Sequence, residues 1–216
     1  MNLAIFTKQL SRLAGLCAAI FLVLCGYACS SKPAATTAAK AVAGFAPAAA
    51  SAATSTAMPP GQSYPSQGHT HLTAGEPDDF VYNSQPPTSG PHREIFSSAF
   101  ISPTPLPSYV QVHLLEHGNV LLQYNCACPE IANALGAIAW RYDSKLVPAN
   151  KLQPVPADVQ NAEEQGMALI VAPYPHMKAR VALTAWTRLA TMSAVDKNRI
   201  ASFINAYLHN AANAGQ

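Results

Sequence analysis

The stretch VLLQYNCACPEIANALGAIAWRY, Val120 to Tyr142, decides the fold class. Its opening residues, Val120 to Tyr124, have high strand propensity and predict a strand. From Pro129 to Tyr142 the apolar residues Ile131, Leu135, Ile138 and Ala139 recur at helical spacing. Pro129 and Glu130 suit a first helical turn, so the segment predicts an amphipathic helix.

Working outward from this strand-to-helix unit, the run Ala168 to Ala172 ends at Pro173 and suits a buried strand, and Arg180 to Ala185 reads as another, followed by Trp186. A second helix opens at Ser193, with Asp196 in its first turn and Ile200, Phe203, Ile204, Tyr207 and Leu208 on one stripe. On the N-terminal side, Tyr109 to Tyr124 reads as strand-prone, interrupted from Glu116 to Asn119. Strands interleaved with two main helices indicate an α+β or small α/β domain, one compact unit with a short sheet.

The segment from His69 to Pro107 shows neither helical nor strand periodicity and predicts Pro-rich loops, with a short strand around Phe80 to Tyr82. Within it, Pro86, Pro87, Gly90 and Pro91 stop any helix or central strand and predict a rigid turn presenting Thr88, Ser89 and His92.

Ahead of the domain the chain changes character. Residues 1–28 place Lys8 and Arg12 before an apolar run from Leu13 to Leu24 and the small residue Ala28, the order of a secretory signal peptide. The competing reading is a retained transmembrane helix, against which stand the short run and its interruption by Gly15, Cys25 and Gly26. Cys29, preceded by Ala28 and followed by Ser30 and Ser31, stands where a lipoprotein would carry its lipid. Several acyl chains on that sulfur would hold the protein on a membrane, at roughly 0.8 kcal/mol per buried methylene. Residues 29–67 are Ala, Ser, Thr and Pro-rich, with too little large apolar surface to offset the entropy of ordering, and read as a tether. The folded domain is then expected over 68–216, outside the cytoplasm in the cell envelope, periplasmic or extracellular and lipid-anchored.

Charge and cysteines narrow the function. The formal net charge is +2, and removing Lys8 and Arg12 with the signal leaves a neutral chain without the basic footprint that nucleic-acid binding requires. Of five cysteines only Cys126 and Cys128 remain as thiols in the domain, so no disulfide framework is expected. Their spacing can chelate a soft cation such as Cu(I) but makes a strained disulfide. No glycine-rich phosphate loop, dinucleotide fingerprint or haem attachment motif is present.

Histidine is the informative residue: five of the seven lie between positions 69 and 117. His113, Glu116 and His117 form H-x-x-E-H, in which two histidines bind zinc and the glutamate polarises a metal-bound water. On a helix the three share a face, whereas on a strand Glu116 turns away from the histidines. His71 and His92 are candidates to complete the site, because imidazole suits zinc, copper and nickel. Met177, beside Tyr174, Pro175 and His176, either adds a thioether that favours copper or plugs the core beneath Trp186. A serine nucleophile at Ser89 lacks the strand-to-helix elbow of the G-x-S-x-G type.

Taken together, His71-Leu72, Pro86-Pro-Thr-Ser-Gly-Pro-His92, Val112-His-Leu-Leu-Glu-His-Gly118 and Ala172-Pro-Tyr-Pro175 with Ala182-Leu-Thr-Ala-Trp186 resemble the bacterial family named domain of unknown function 3105, from His69 to Tyr207. The resemblance implies a secreted or membrane-anchored domain. The family pattern includes the histidines matched here by His71, His92, His113 and His117, together with Glu116. It does not include His69, and it has proline at the position of Cys126.

These readings leave three functions in competition. The first is an extracytoplasmic domain binding copper or zinc through His71, His92, His113 and His117, with Glu116 as an outer base or water-activating group. The second is an envelope binding or structural module whose histidines and Glu116 form a buried hydrogen-bond network. The third is a metal-dependent hydrolase with Glu116 as its catalytic residue, which requires an open coordination position.

Overall fold

The computed structural model describes residues 60–77 and 79–210. The expected signal peptide, the lipid acceptor Cys29 and most of the expected tether lie outside the described residues. No helix among the described residues is long and apolar enough to cross a membrane.

The elements run β1 (Gln62–Ser63), α1 (Ser108–Glu116), β2 (Val120–Tyr124), α2 (Pro129–Asp143), α3 (Pro156–Glu164), β3 (Leu169–Pro173), β4 (Val181–Ala185), β5 (Arg188–Met192) and α4 (Lys197–Tyr207). They form an α+β fold around one five-stranded sheet in the order β1-β5-β4-β2-β3. Among the strands of the described residues only β2 and β3 pair in parallel, in the register Val120↔Leu169 to Tyr124↔Pro173, with α2 and α3 in the connection between them. A parallel pair needs such a crossover, whereas β4 and β5 are antiparallel and turn directly into one another at Trp186 and Thr187.

Both faces of the sheet are covered, so β2 reads VLLQY rather than as a clean alternation of apolar and polar residues. Val120 and Leu122 point to a core with Leu135 and Ala139 of α2 and Ile200, Phe203 and Ile204 of α4. Leu121 and Ile170 point to the opposite core, with Val112, Leu114 and Leu115 of α1 and Val159 of α3. The sheet thus lies between two helical layers.

Several expectations are corrected. The strand-prone segment before Glu116 is the helix α1, so that among the described residues the two main helices expected, α2 and α4, are joined by the shorter α1 and α3. Phe80 to Tyr82 forms no strand, while Gln62 and Ser63, placed in the tether by their composition, pair with β5 as an edge strand. The Pro-rich turn faces inward: Thr88, Ser89 and His92 are fully buried, Thr88 O accepts from Thr187 N at 2.9 Å, and Ser89 Oγ accepts from Gln67 N at 3.0 Å. Met177 is buried as core, but against Ala182 and Leu189 rather than beneath Trp186.

Asn119 ties three elements together. Its Nδ2 donates to Leu114 O at 2.9 Å and to Glu163 O at 2.7 Å, and its Oδ1 accepts from Ala168 N at 2.9 Å. Because the side chain is fully buried, Asn119→Ala leaves Ala168 N without its acceptor away from water, while Leu114 O and Glu163 O each lose one bond and keep a backbone bond, from Asn119 N and Gly166 N. The expected loss is roughly 2–3 kcal/mol, given about 1 kcal/mol for a net hydrogen bond and more for an orphaned buried group. Urea unfolding checks it: the midpoint falls while the slope stays unchanged.

Candidate metal centre

α1 carries the site. Val110 to Glu116 are all buried, so the helix is enclosed on every side and His113 and Glu116, one turn apart, lie in the interior. The helix ends at Glu116 with His117 as its cap, and Gly118 follows at φ +97°, a left-handed position that glycine occupies at no steric cost.

The Pro-rich segment brings the other two imidazoles. Backbone bonds from His92 N to Thr70 O at 2.9 Å and from Leu72 N to His92 O at 2.7 Å form a parallel bridge that sets His71 beside His92. His92 Nε2 is 2.9 Å, His71 Nε2 3.1 Å and His113 Nδ1 3.8 Å from Glu116 Oε2. His71, His92, His113 and Glu116 each offer a ligand atom, and these atoms lie within 4.8 Å of one another. His92, His113 and Glu116 are buried, and His71 closes the solvent side with a partly exposed ring.

Outer contacts fix the direction of two rings. His92 Nδ1 donates to Gly90 O at 2.9 Å, which turns its Nε2 toward Glu116. His71 likewise has Nδ1 at 3.0 Å from Glu94 Oε1 and Nε2 facing Glu116. Two ring nitrogens and a carboxylate oxygen converging at these distances need a cation or protons between them. A ring nitrogen held from outside by a carbonyl or carboxylate is the arrangement that supports a metal-ligating histidine.

His113 has no such partner. Both of its ring nitrogens are buried without a hydrogen bond. Burial, with the neighbouring His117, His92 and His71 rings, overrides Glu116 and holds its pKa down at about 4. The ring is therefore neutral near pH 7, the state a metal requires.

The sequence-predicted ligands divide. His71, His92 and His113 come together with Glu116, which lies within the group rather than behind it. His117 is not brought into the group: its backbone continues the helical geometry of α1 and its ring stacks edge-on to His113 with centroids 4.7 Å apart, but its Nδ1 donates to Glu164 O at 3.0 Å. His69 stands at the rim, with Nδ1 3.5 Å from Glu116 Oε1. Neither Glu94 nor the Gly90 carbonyl was marked by any sequence signal. Cys126 and Cys128 are joined to each other as a disulfide and, like the core residue Met177, are not part of the group.

Two more carboxyls, those of Asp143 and Glu163, are buried in the domain. Burial pushes Asp143 up to about 8, with Glu163 adding to it and a bond from Leu169 N opposing it. Burial also pushes Glu163 up to about 7 against its bonds from Ser97. Both folded-state values exceed the ordinary 3.8 and 4.5, so the native state binds more protons than the unfolded chain. Their contribution to stability is present in full below about pH 4 and is lost as the pH rises through about 7 and 8. Asp143→Asn keeps the acceptor for Leu169 N and removes the titration. The difference in melting temperature between variant and wild type is therefore expected to move in the variant's favour from pH 5 to pH 9.

This geometry defines a class of protein: a small α+β domain in which three histidines and a glutamate converge on one buried point, at the end of a helix that leads into the sheet. The chain belongs to the family described as protein of unknown function (DUF3105), which matches residues 74–216. No curated protein and no solved structure matches it.

Proposed function

We propose that this protein is a membrane-anchored metal-binding module of the cell envelope, holding one zinc or copper(II) ion through His71, His92, His113 and Glu116. The observation that carries the reading is His113, an imidazole buried between two other histidines and a carboxylate with neither nitrogen hydrogen-bonded. A metal ion would give one of those two nitrogens a partner and would occupy the point on which His71, His92 and Glu116 converge. The separations of 2.9, 3.1 and 3.8 Å from Glu116 Oε2 bracket the roughly 3.3 Å ligand-to-ligand edge expected for tetrahedral bonds of about 2.0–2.1 Å. Three imidazoles and a carboxylate without sulfur suit zinc or copper(II) and disfavour copper(I).

In this reading Glu116 is consumed as a ligand and is not free to act as the base of a hydrolase. The anchor is the lipid on Cys29, supported by the order of charged, apolar and small residues before it.

The test is elemental analysis of the full chain, purified in detergent from an envelope fraction without a polyhistidine tag. One zinc or copper per chain is expected, none in His113→Ala, and an unchanged one in His117→Ala, because His117 stands outside the ligand group. A wild-type chain that remains metal-free after reloading with zinc(II), copper(II) and copper(I) overturns the reading. It would favour instead a Glu116–histidine network, in which the short Glu116–His92 contact is a direct ion pair.

A further inference from the structure

At the opposite end of β2 from the histidines, the chain crosses to α2 through Asn125, Cys126, Ala127 and Cys128, and the two cysteines form a disulfide. One residue separates them, so the bond closes a minimal loop. The stabilisation a disulfide gives by restricting the unfolded chain grows with loop length and is near its least here. The surrounding segment is already held without it. Asn125 N donates to Arg180 O at 3.2 Å, Asn125 Nδ2 donates to Met177 O at 3.1 Å, and Cys128 O accepts from Ile131 N and Ala132 N at the start of α2. A staple is not what this position lacks.

The two sulfurs differ in ways that suit exchange. Cys126 is half-buried and Ala127 beside it is exposed, whereas Cys128 is buried. Cys128 is the N-cap residue of the 15-residue helix α2 and makes no side-chain cap hydrogen bond, with Pro129 following it. An N-cap side chain ordinarily accepts from the backbone N–H groups of the first turn, and the helix N-terminus stabilises negative charge there. The loop before β4 adds Arg180, whose Nη2 lies 3.9 Å from Oε1 of Glu130 in that same turn.

We propose that Cys126 and Cys128 form a redox-active disulfide that accepts two electrons from a dithiol, such as a thiol pair on a partner protein. A thiolate of the dithiol attacks Cys126 Sγ, forming a mixed disulfide. The Cys126–Cys128 bond breaks, and its electron pair leaves on Cys128 Sγ at the start of α2. The second thiolate of the dithiol then attacks its own sulfur in the mixed disulfide and releases Cys126. The dithiol is oxidised to a disulfide, the cysteine pair is reduced to two thiols, and the reverse exchange with another disulfide restores it.

The experiment equilibrates the full chain, in detergent, with buffers of varying reduced-to-oxidised glutathione ratio, then alkylates the thiols under acid quench and weighs the product. A reversible gain of two alkyl groups is expected within the range of millimolar glutathione buffers. The Cys126→Ser/Cys128→Ser chain is expected to melt within about 3 °C of wild type, a change of roughly 1 kcal/mol or less. With glutathione disulfide as probe, Cys128→Ser is expected to form the mixed disulfide at Cys126 at least ten times faster than Cys126→Ser forms it at Cys128. A bond that opens only on denaturation, a double variant that no longer folds, or equal rates at the two cysteines overturns the proposal.

Discussion

Chelation of the wild-type chain is expected to lower its melting temperature by about 8–16 °C, and His92→Ala and His113→Ala chains are expected not to respond. The magnitude follows from mass action. A ligand at about a thousand times its dissociation constant stabilises the folded state by roughly 4 kcal/mol. For a chain of this size each kcal/mol moves the midpoint by about 2–4 °C. Differential scanning calorimetry with and without chelator measures it directly. His113→Ala has a second signature, because the metal-free wild type keeps an imidazole with both nitrogens buried and unsatisfied, a cost the alanine does not carry. The variant loses the ring's packing against Phe96, whose centroid is 4.7 Å away. The two effects oppose each other, so the variant is expected to melt close to the chelated wild type rather than far below it.

Glu116→Gln separates a metal centre from a hydrogen-bonded network. If Glu116 serves as a metal ligand, the substitution is costly with metal present and much less so after chelation, because the amide removes the charge and not the volume. If Glu116 instead pairs with a charged His92, the cost persists in chelator, since a buried pair broken from one side leaves its partner uncompensated. A chelator shift of zero in wild type, with Glu116→Gln still strongly destabilised, would sink the metal reading and establish the network.

How much of this was legible in the sequence depended on how each element is buried. Helices α2 and α4 have one apolar face, and their periodicity marks them at once. α1 is enclosed all round, so Val110, Val112, Leu114 and Leu115 show no polar face, and their composition imitates a strand. β5 was missed because the turn before it carries Thr187 at φ +57° where hairpins ordinarily announce themselves with Gly or Asn. The site was legible as a histidine-rich composition, and three of the four residues named as metal ligands do gather. The exchange of His117 for Glu116 was not legible, because it turns on a contact between distant segments. His117 keeps helical backbone geometry and its ring lies against that of His113, but its Nδ1 is taken by Glu164 O at the end of α3, whereas Glu116 faces His71 and His92 from the Pro-rich segment.

Gly166→Ala is expected to destabilise the domain by about 4 kcal/mol or more, a larger effect than any single hydrogen bond here supplies. Gly166 follows α3 at φ +66°, and a Cβ there would lie 2.0 Å from His117 O and 3.0 Å from its carbonyl carbon. The obstacle is backbone on both sides, so no rotamer relieves it. The left-handed conformation adds roughly 1–2 kcal/mol for a residue with a Cβ. The contact is also held from outside, because His209 N donates both to Gly118 O at 3.1 Å and to Gly166 O at 3.0 Å and so clamps the ends of α1 and α3 together. Relief requires the His117–Gly118 turn to move, and His117 directly follows Glu116 in the chain. Gly166→Ala is therefore expected to lower the urea midpoint and to weaken metal binding, although Gly166 is not among the proposed ligands. Equilibrium unfolding and metal titration of the same preparation test both effects. A variant with wild-type stability would show that the α1–α3 contact is looser than these distances require.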